Sequence, residues 1–372
     1  MDNIITKEQR MVVLLSRITF RSEDIAEMNQ IMKDKLFDWF QFLKYILYHR
    51  TAALCWKNIH QLRINCSIPH YIDDMLSYIY SGNKQRNEEK ITEAKKIVDI
   101  CEKQGLTLLP VKGAKLIPEM YKDFGLRYSS DSDFLIREED TIFLSDILKE
   151  LGYIQGFCDR RTKIIKPASR DEIQDYKNRL NNIFPYIKYS GSHLYPTISI
   201  DFRYALGMHK NRQVINDMIK QYKTSKKVSP EYYLLHLCAH FSEEARKSID
   251  IFLCKDFNMI KLCDIRESIL QARATGSCEL VKFAKKYSLQ EEVYFALYYL
   301  YLVYRDEFVV NWMEDLNIED SSFIDQFGKL GHEPDSVFKK TTWERIFSCY
   351  NLDDIRQLNT VIDQLTFKSE EQ

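Results

Sequence analysis

The chain has 372 residues, enough for two domains with a substantial core. Its 53 Lys and Arg residues nearly balance its 54 Asp and Glu residues, so the formal net charge is -1. That charge argues against a general nucleic-acid binder, although a local basic groove stays compatible with it. With 11 Gly and 8 Pro but 23 Tyr and 21 Phe residues, the composition favours a helix-rich protein with an aromatic core.

Signals for export or membrane insertion are not evident. The beginning of the chain lacks the basic and apolar regions of a signal peptide. The longest apolar run, Val293 to Tyr304, is shorter than the roughly 18 residues of a membrane span and predicts a buried core helix. The 9 cysteines include no CxxC pair and are expected to be reduced thiols. We therefore expect a cytoplasmic protein with no membrane partner.

Helical patterns come first along the chain. Apolar residues recur at helical spacing between Phe37 and Leu47, and residues 5–105 as a whole predict helices. The last of these, Glu88 to Gln104, stops at Gly105, a common residue just after a helix C-terminus.

The middle of the chain has a different pattern, in which strands and helices alternate. Strands are predicted at 106–111, 131–136, 186–190 and 197–202, and helices at 114–121 and 141–151. The charged segment 158–182 is interpreted as an insertion or a lid. This order predicts a small mixed sheet with helices packed on it.

The helical pattern returns at Ser229-Pro230, where serine suits the N-cap and proline the first helical position. Helices are predicted from there to about Leu365, with a frayed tail at 368–372. The predicted fold class is α+β, a small mixed β-sheet domain flanked by N- and C-terminal helical regions. The expected domains are a helical region at 1–105, a sheet core at 106–210 and a helical domain at 211–372.

A pair of aspartates suggests a metal site. Asp131 and Asp133 lie two positions apart on a predicted strand, so both carboxylates project from the same face. Like charges side by side are unfavourable without a compensating proton or cation, and Mg²⁺ binds through carboxylates and substrate phosphates. Alternatively, both acids lie on an exposed strand or turn.

Other residues favour the metal interpretation. Gly113 lies where a strand passes into a helix, a place where backbone N–H groups can hold a phosphate. Lys112 and Arg127 bracket the segment and can neutralise phosphate charge. Asp201 lies on the polar side of the strand at 197–202, and an acid on a half-buried strand needs a partner such as a shared metal.

This series resembles the minimal nucleotidyltransferases of the polymerase-β superfamily, which carry a glycine after the first strand, Ser-Asp-x-Asp on the next and a later third acid. More narrowly, it resembles the bacterial uncharacterised nucleotidyltransferase family, over roughly residues 35–270. The matching residues are Phe37-Asp38-Trp39, His49-Arg50, Lys112-Gly113, Tyr121, Arg127, Ser130-Asp131-Ser132-Asp133, Asp201, the run from Leu234 to His240, and Asp264.

The chain departs from the family pattern in three places. Gly113-Ala114 stands where the superfamily has Gly-Gly or Gly-Ser, which removes a hydroxyl often used on the phosphates. The gap from Gly113 to Asp131 is longer than the superfamily norm, and Arg203 stands where the family favours histidine. These departures affect the expected binding of the phosphates more than the expected fold.

The resemblance implies that 106–210 is a polymerase-β-like nucleotidyltransferase core. It implies a transfer of a nucleoside monophosphate from a nucleoside triphosphate, ATP or CTP, to a small molecule, peptide or RNA, with release of pyrophosphate. Two Mg²⁺ ions, with Mn²⁺ as an alternative, would be held by the catalytic Asp131, Asp133 and Asp201. The nucleotide-binding residues would be Lys112, Gly113, Ala114, Arg127 and Ser130.

Two histidines are candidates for the acceptor site. His236 and His240 are four residues apart on a predicted helix, a spacing that can bind zinc. Leu237 stands where zinc proteases have glutamate, which weakens the zinc interpretation. The alternatives are a role in packing and a role facing the acceptor.

Two other functions fit the sequence. A degenerate nucleotide-binding protein would keep the fold without the chemistry, but the presence of all three acids argues against it. A toxin-like tRNA nucleotidyltransferase would need a basic groove leading to Asp131, which the net charge does not indicate. The lysines between Lys220 and Lys227 are most simply a solvated helix end, with an RNA-binding edge as the alternative.

Overall fold

The structure is a computed structural model that describes residues 5–64, 66–159, 161–180, 182–276, 278–328 and 336–348. The described residues divide into two compact units. One consists of Tyr71–His236 and Ser268–Cys278, and the other of the described parts of Met1–His70, Leu237–Glu267 and Glu279–Gln372. The domain boundaries expected at residues 105 and 210 stay a prediction, and the helix pattern up to Leu365 lies partly outside the described residues.

Helices dominate both units, as the composition indicates. In the described ranges they are α1 (Lys7–Leu15), α2 (Ser22–Ile31), α3 (Trp39–Tyr48), α4 (Ala52–Gln61), α5 (His70–Lys103), α6 (Lys112–Leu116), α7 (Thr141–Glu150), α8 (Arg170–Arg179), α9 (Gln213–Ser225), α10 (Pro230–Ala245), α11 (Ser248–Phe252), α12 (Met259–Ala274), α13 (Leu280–Lys286), α14 (Gln290–Tyr304), α15 (Phe308–Leu316) and α16 (Thr342–Phe347). A π-helical turn, Ile117–Tyr121, continues α6.

The strands form one large and one small sheet in the described residues. They are β1 (Leu109–Val111), β2 (Ser132–Leu135), β3 (Ile154–Cys158), β4 (Ile165–Pro167), β5 (Tyr186–Tyr189), β6 (Thr197–Arg203), β7 (Gln326–Phe327) and β8 (Ser336–Val337). The large sheet has the order β1-β2-β6-β5-β3-β4, and β7 pairs with β8. A mixed sheet flanked by helices is the α+β fold that the sequence predicts.

The pairing of β2 with β6 determines which side chains share a face of the large sheet. These two strands run parallel, whereas the other strand pairs in this sheet are antiparallel. Asp133 is the register partner of Asp201, and Phe134 is the partner of Phe202. Because partners in neighbouring strands point the same way, the two aspartates project from one face and the two phenylalanines from the other.

The phenylalanine face of the sheet carries the core of this unit. The Phe134 and Phe202 rings stack with their centroids 5.5 Å apart. Burying each such side chain contributes about 1.5–3 kcal/mol. The buried helix residues of the same core are Ala94, Ile97 and Cys101 from α5, and Leu144, Ile147 and Leu148 from α7. Two helices thus cover one face of the sheet and leave the acids on the other.

Five of the described elements were not predicted, and two of them, β7 and β8, are strands where the sequence predicted helices. Strands β3 and β4 and helix α8 fall in or next to the segment interpreted as an insertion or a lid. Strand β4 is only three residues long, ends in Pro167 and is mostly exposed, so it shows no alternation of apolar residues. Helix α8 does carry a local signal, because Ser169 and Glu172 form a reciprocal capping box. Helix α5 also begins at His70, well before the predicted start at Glu88.

The apolar run near the end of the chain forms a core helix, as predicted. Helix α14 buries eight residues of this run: Val293, Phe295, Ala296, Leu297, Tyr299, Leu300, Val303 and Tyr304. Its Phe295 and Tyr299 rings lie 4.8 Å apart, centroid to centroid, in an aromatic cluster with Phe241 and Phe257. Within the described residues, no helix is long and apolar enough to span a bilayer.

Candidate active site

Three carboxylates meet on the side of the sheet opposite the core. Asp133 lies in β2, Asp201 in β6, and Asp131 immediately precedes β2. One carboxylate oxygen from each residue lies within 4.8 Å of the other two. Asp133 is only 7% exposed, and Asp131 and Asp201 are partly buried. The sheet register therefore brings together the three acids that the sequence analysis proposed as metal ligands.

The charges around Asp133 act in opposite directions. Burial raises the pKa of the Asp133 carboxyl, and the neighbouring Asp131 adds to this rise. Lys112 opposes it, since its Nζ lies 2.6 Å from Asp133 Oδ1, and Arg203 opposes it more weakly. Strand alternation places Arg203 on the same face as Asp201. The net rise means that an ionised Asp133 is costly without a further cation.

The donor set of this site suits a hard divalent cation. Three carboxylates supply oxygen ligands only, the kind that Mg²⁺ and Mn²⁺ prefer over nitrogen or sulfur. In the described ranges, no other group of three His, Cys, Asp or Glu side chains has ligand atoms as close together. In this structure, the Lys112 ammonium neutralises part of the negative charge of the three carboxylates. A bound divalent cation would neutralise the same charge.

Lys112 reaches Asp133 from a strained backbone position. It is the first residue of α6, directly after β1, and has a φ of 46°, in the left-handed region that residues other than glycine rarely adopt. Such conformations cost on the order of 1–3 kcal/mol and persist where the surrounding structure enforces them. Here the turn directs the side chain along the sheet to the carboxylate triad, where the Lys112–Asp133 ion pair forms.

Gly113 is closely packed, which the sequence did not reveal. A Cβ atom at this position would overlap the Ser129 side chain and lie 3.0 Å from Arg127 Nη1. The Ser129 hydroxyl cannot move away freely, because it donates a hydrogen bond to the Asp131 carbonyl at 2.8 Å. The glycine therefore allows α6 to approach the segment that leads into Asp131.

Replacing Gly113 with alanine is expected to lower the free energy of unfolding by about 1–3 kcal/mol through this overlap. Gly82→Ala is the matched control, because Gly82 lies in α5 with nothing near its Cβ position and should gain about 0.5–1 kcal/mol. Urea unfolding of both variants measures the difference. Equal free energies of unfolding for the two variants would show that the close packing at Gly113 does not make alanine unfavourable there.

The remaining predicted nucleotide-binding residues take different positions. Arg127 is buried, and its Nη1 donates to the Tyr128 carbonyl at 3.2 Å, which suits a bracing role. Ser130 is exposed and its hydroxyl donates to Asp131 Oδ1 at 3.1 Å. Ala114 is buried in α6. Their roles toward a nucleotide stay predictions.

Sequence reasoning missed a lysine at this site. Lys90 of α5 is 3% exposed, and its Nζ donates to the carbonyls of Ser129, at 3.0 Å, and Ser130. Burial lowers the pKa of Lys90 to about 8, against the opposing influence of the nearby Asp131 and Asp133. A lysine in a helix rich in Lys and Glu is usually solvated, so no sequence pattern distinguishes Lys90 from the other lysines of α5.

The two candidate acceptor-site histidines lie on α10 with different surroundings. His236 is 1% exposed and belongs to the unit that contains the large sheet. His240 belongs to the other unit, and its Nε2 lies 3.2 Å from Glu244 Oε2. Within the described residues, neither histidine belongs to a group of three close His, Cys, Asp or Glu side chains. A role at the acceptor site stays a prediction for both.

Comparison with known protein families gives a match to this chain. A family model described as uncharacterised nucleotidyltransferase matches residues 35–305, which include the whole large sheet and all three acids. No curated protein and no solved structure shows a significant match. The matched range is well over half of the chain. The chain therefore belongs to the uncharacterised nucleotidyltransferase family.

Proposed function

We propose that this protein transfers a nucleoside monophosphate from a metal-bound nucleoside triphosphate to an acceptor and releases pyrophosphate. Family membership supports nucleotidyl transfer in general. The observation that carries the finer proposal is the convergence of Asp131, Asp133 and Asp201 to within 4.8 Å. Such a triad of oxygen ligands suits Mg²⁺, or Mn²⁺, together with the phosphates of ATP or CTP.

In the proposed reaction, an acceptor oxygen attacks the α-phosphorus of the nucleotide. A new oxygen–phosphorus bond forms, the bond to the bridging oxygen of the β-phosphate breaks, and pyrophosphate leaves with that oxygen. The acceptor proton passes to a base, for which Asp201 is our candidate because it is a partly buried carboxylate beside the other two. Divalent metal ions would neutralise the phosphate charge and favour the ionised acceptor oxygen.

The cationic residues of the site would hold the triphosphate. Lys112 already lies beside the triad, and its flexible ammonium can move from Asp133 to a phosphate oxygen. Arg203, on the face of the sheet that carries Asp201, offers a second cation near the same place. Positioning and charge neutralisation carry most of the catalysis in phosphoryl-type reactions, so few other groups are required.

The proposal is tested by following label from the nucleotide. With Mg²⁺ and cell extract, label in the α-phosphate of ATP or CTP is expected to appear in an acceptor, whereas label in the γ-phosphate is expected in pyrophosphate. Asp201→Asn is expected to lower the transfer at least 10²-fold, since it removes a metal ligand and a base.

Transfer of γ-label to an acceptor would instead indicate a kinase. Binding of nucleotide without any transfer would favour the degenerate binding protein. Label in tRNA would identify RNA as the acceptor and leave the proposed reaction intact.

A further inference from the structure

One side of helix α5 holds the loop that leads into the triad. Tyr80, Asn83, Asn87 and Lys90 are spaced three or four residues apart, which places them along one face of the helix. The Tyr80 hydroxyl donates to the Asp123 carboxylate at 2.9 Å. The long helix thus carries polar side chains directed at residues 123–130.

The hydrogen bonds from this face go to backbone carbonyls. Asn83 Nδ2 donates to Gly125 O at 3.3 Å, and Asn87 Nδ2 donates to Phe124 O at 2.7 Å and to Arg127 O at 2.8 Å. Lys90 Nζ donates to Ser129 O and Ser130 O. Together these three side chains bind five carbonyls of a loop that has no regular ladder of its own. Lys90 acts at the end nearest Asp131.

A charged group at this position has a cost that a purely structural residue would avoid. Lys90 is buried, and a buried ammonium loses its hydration. The pKa of Lys90 is lowered by burial, so the two carbonyls and the nearby acids offset only part of this cost. Lys90 also lies within electrostatic reach of Asp131 and Asp133, so its charge by itself opposes the binding of a metal cation there.

We infer that Lys90 is a positioning residue for the metal site: it fixes the Ser129–Ser130 backbone and so holds the Asp131 carboxylate beside Asp133 and Asp201. This inference rests on the proposed function, since it assumes that the triad binds divalent metal. Residues that orient metal ligands from behind typically change metal affinity or activity 10–100-fold when they are altered.

The sign of the change in metal affinity separates positioning from electrostatics. If Lys90 acts only through its charge, Lys90→Met removes a nearby cation and the triad should bind Mn²⁺ more tightly. If Lys90 positions Asp131, the same variant should bind Mn²⁺ more weakly although a repelling charge has gone. A role in stability alone would leave the affinity of the folded protein unchanged.

The experiment measures Mn²⁺ affinity without nucleotide, by electron paramagnetic resonance, and folding by circular dichroism. Lys90→Met is expected to bind Mn²⁺ about tenfold more weakly than the parent. Lys90→Arg, which keeps the charge and the donors, should restore affinity to within about threefold. The matched control is Lys96→Met, at an exposed lysine of the same helix, and it should bind as the parent does.

If Lys90→Met does not fold, Lys90→Gln takes its place, because glutamine keeps amide donors but has no charge and a shorter reach toward the two carbonyls. Parent-like or tighter Mn²⁺ binding by the folded Met or Gln variant would overturn the positioning role and leave the proposed function standing. Failure of the parent itself to bind Mn²⁺ would instead count against the proposed function, and the inference would fall with it.

Discussion

Replacing Asp133 with asparagine is expected to remove Mg²⁺-dependent nucleotide binding and to lower turnover by about 10²–10³ or more. Asparagine keeps the size and one hydrogen-bonding oxygen of aspartate but takes one negative charge out of the triad. In energy, the loss in rate corresponds to roughly 3–4 kcal/mol of transition-state stabilisation. Calorimetric titration of Mg²⁺ with ATP or CTP, together with a transfer assay, measures both effects.

The same substitution should leave the stability of the metal-free protein unchanged or raise it. The pKa of Asp133 is raised overall, which means that its ionised form is less stable in the folded protein than in the unfolded chain, even with Lys112 beside it. Neutral asparagine avoids that cost at pH 7. Thermal unfolding without metal measures this stability. Replacement of a structural aspartate would lower it instead.

Asp140→Asn is the matched control for this prediction. Asp140 is 8% exposed, in the same unit, and both its carboxylate oxygens accept hydrogen bonds from Arg137 at 2.7 Å. Its replacement should cost about 1–3 kcal/mol of stability and leave metal-nucleotide binding intact. If Asp133→Asn instead loses stability and keeps nucleotide binding, as expected of Asp140→Asn, Asp133 is structural.

Lys112→Met is expected to strengthen the binding of metal alone while it slows the reaction. The Lys112 ammonium lies 2.6 Å from Asp133 Oδ1 and competes with any cation for that oxygen. Its removal should raise Mn²⁺ affinity by about tenfold, a change of roughly 1.4 kcal/mol. Turnover should fall by about 10² or more, since a cation for the triphosphate is lost. Binding of Mn²⁺ is measured by electron paramagnetic resonance at the same pH for the parent and the variant.

Lys115→Met controls for the loss of any lysine from α6. Lys115 pairs with Glu119 at 2.5 Å and lies over the Tyr233 ring, 4.0 Å from its centroid. This variant should change neither metal affinity nor turnover by more than a small factor. If Lys112→Met weakens metal binding, Lys112 does not compete with the metal for Asp133. If the variant keeps the parent's turnover, Lys112 does not hold the triphosphate.

The sequence predicted those parts of the site that depend on local pattern. Alternation in β6 separates the buried Ile198, Ile200 and Phe202 from Asp201, and the two-residue spacing of Asp131 and Asp133 placed both on one face. The start of α10 at Pro230 followed from the capping preferences of serine and proline. Strand alternation, residue spacing and helix capping can each be predicted from a few neighbouring residues.

Features that depend on distant parts of the chain were not predicted. The sequence predicted that Asp201 shares a metal with Asp131 and Asp133 from a neighbouring strand, but it did not predict the parallel direction or the register of β2 and β6, which join residues far apart in sequence. The contact of Lys90 with Ser129 and Ser130 spans about forty residues. Strand β4 was missed because it is short and exposed, and takes its conformation from its pairing with β3.

The proposed function requires that Asp131, Asp133 and Asp201 bind divalent metal together with a nucleoside triphosphate. Crystals grown with Mn²⁺ and a non-hydrolysable ATP or CTP analogue test this directly through the anomalous signal of manganese. We expect two manganese peaks within coordination distance of the three carboxylates, each also bound to phosphate oxygens. Nucleotide bound elsewhere, with no manganese at the triad under saturating conditions, would contradict the proposed function.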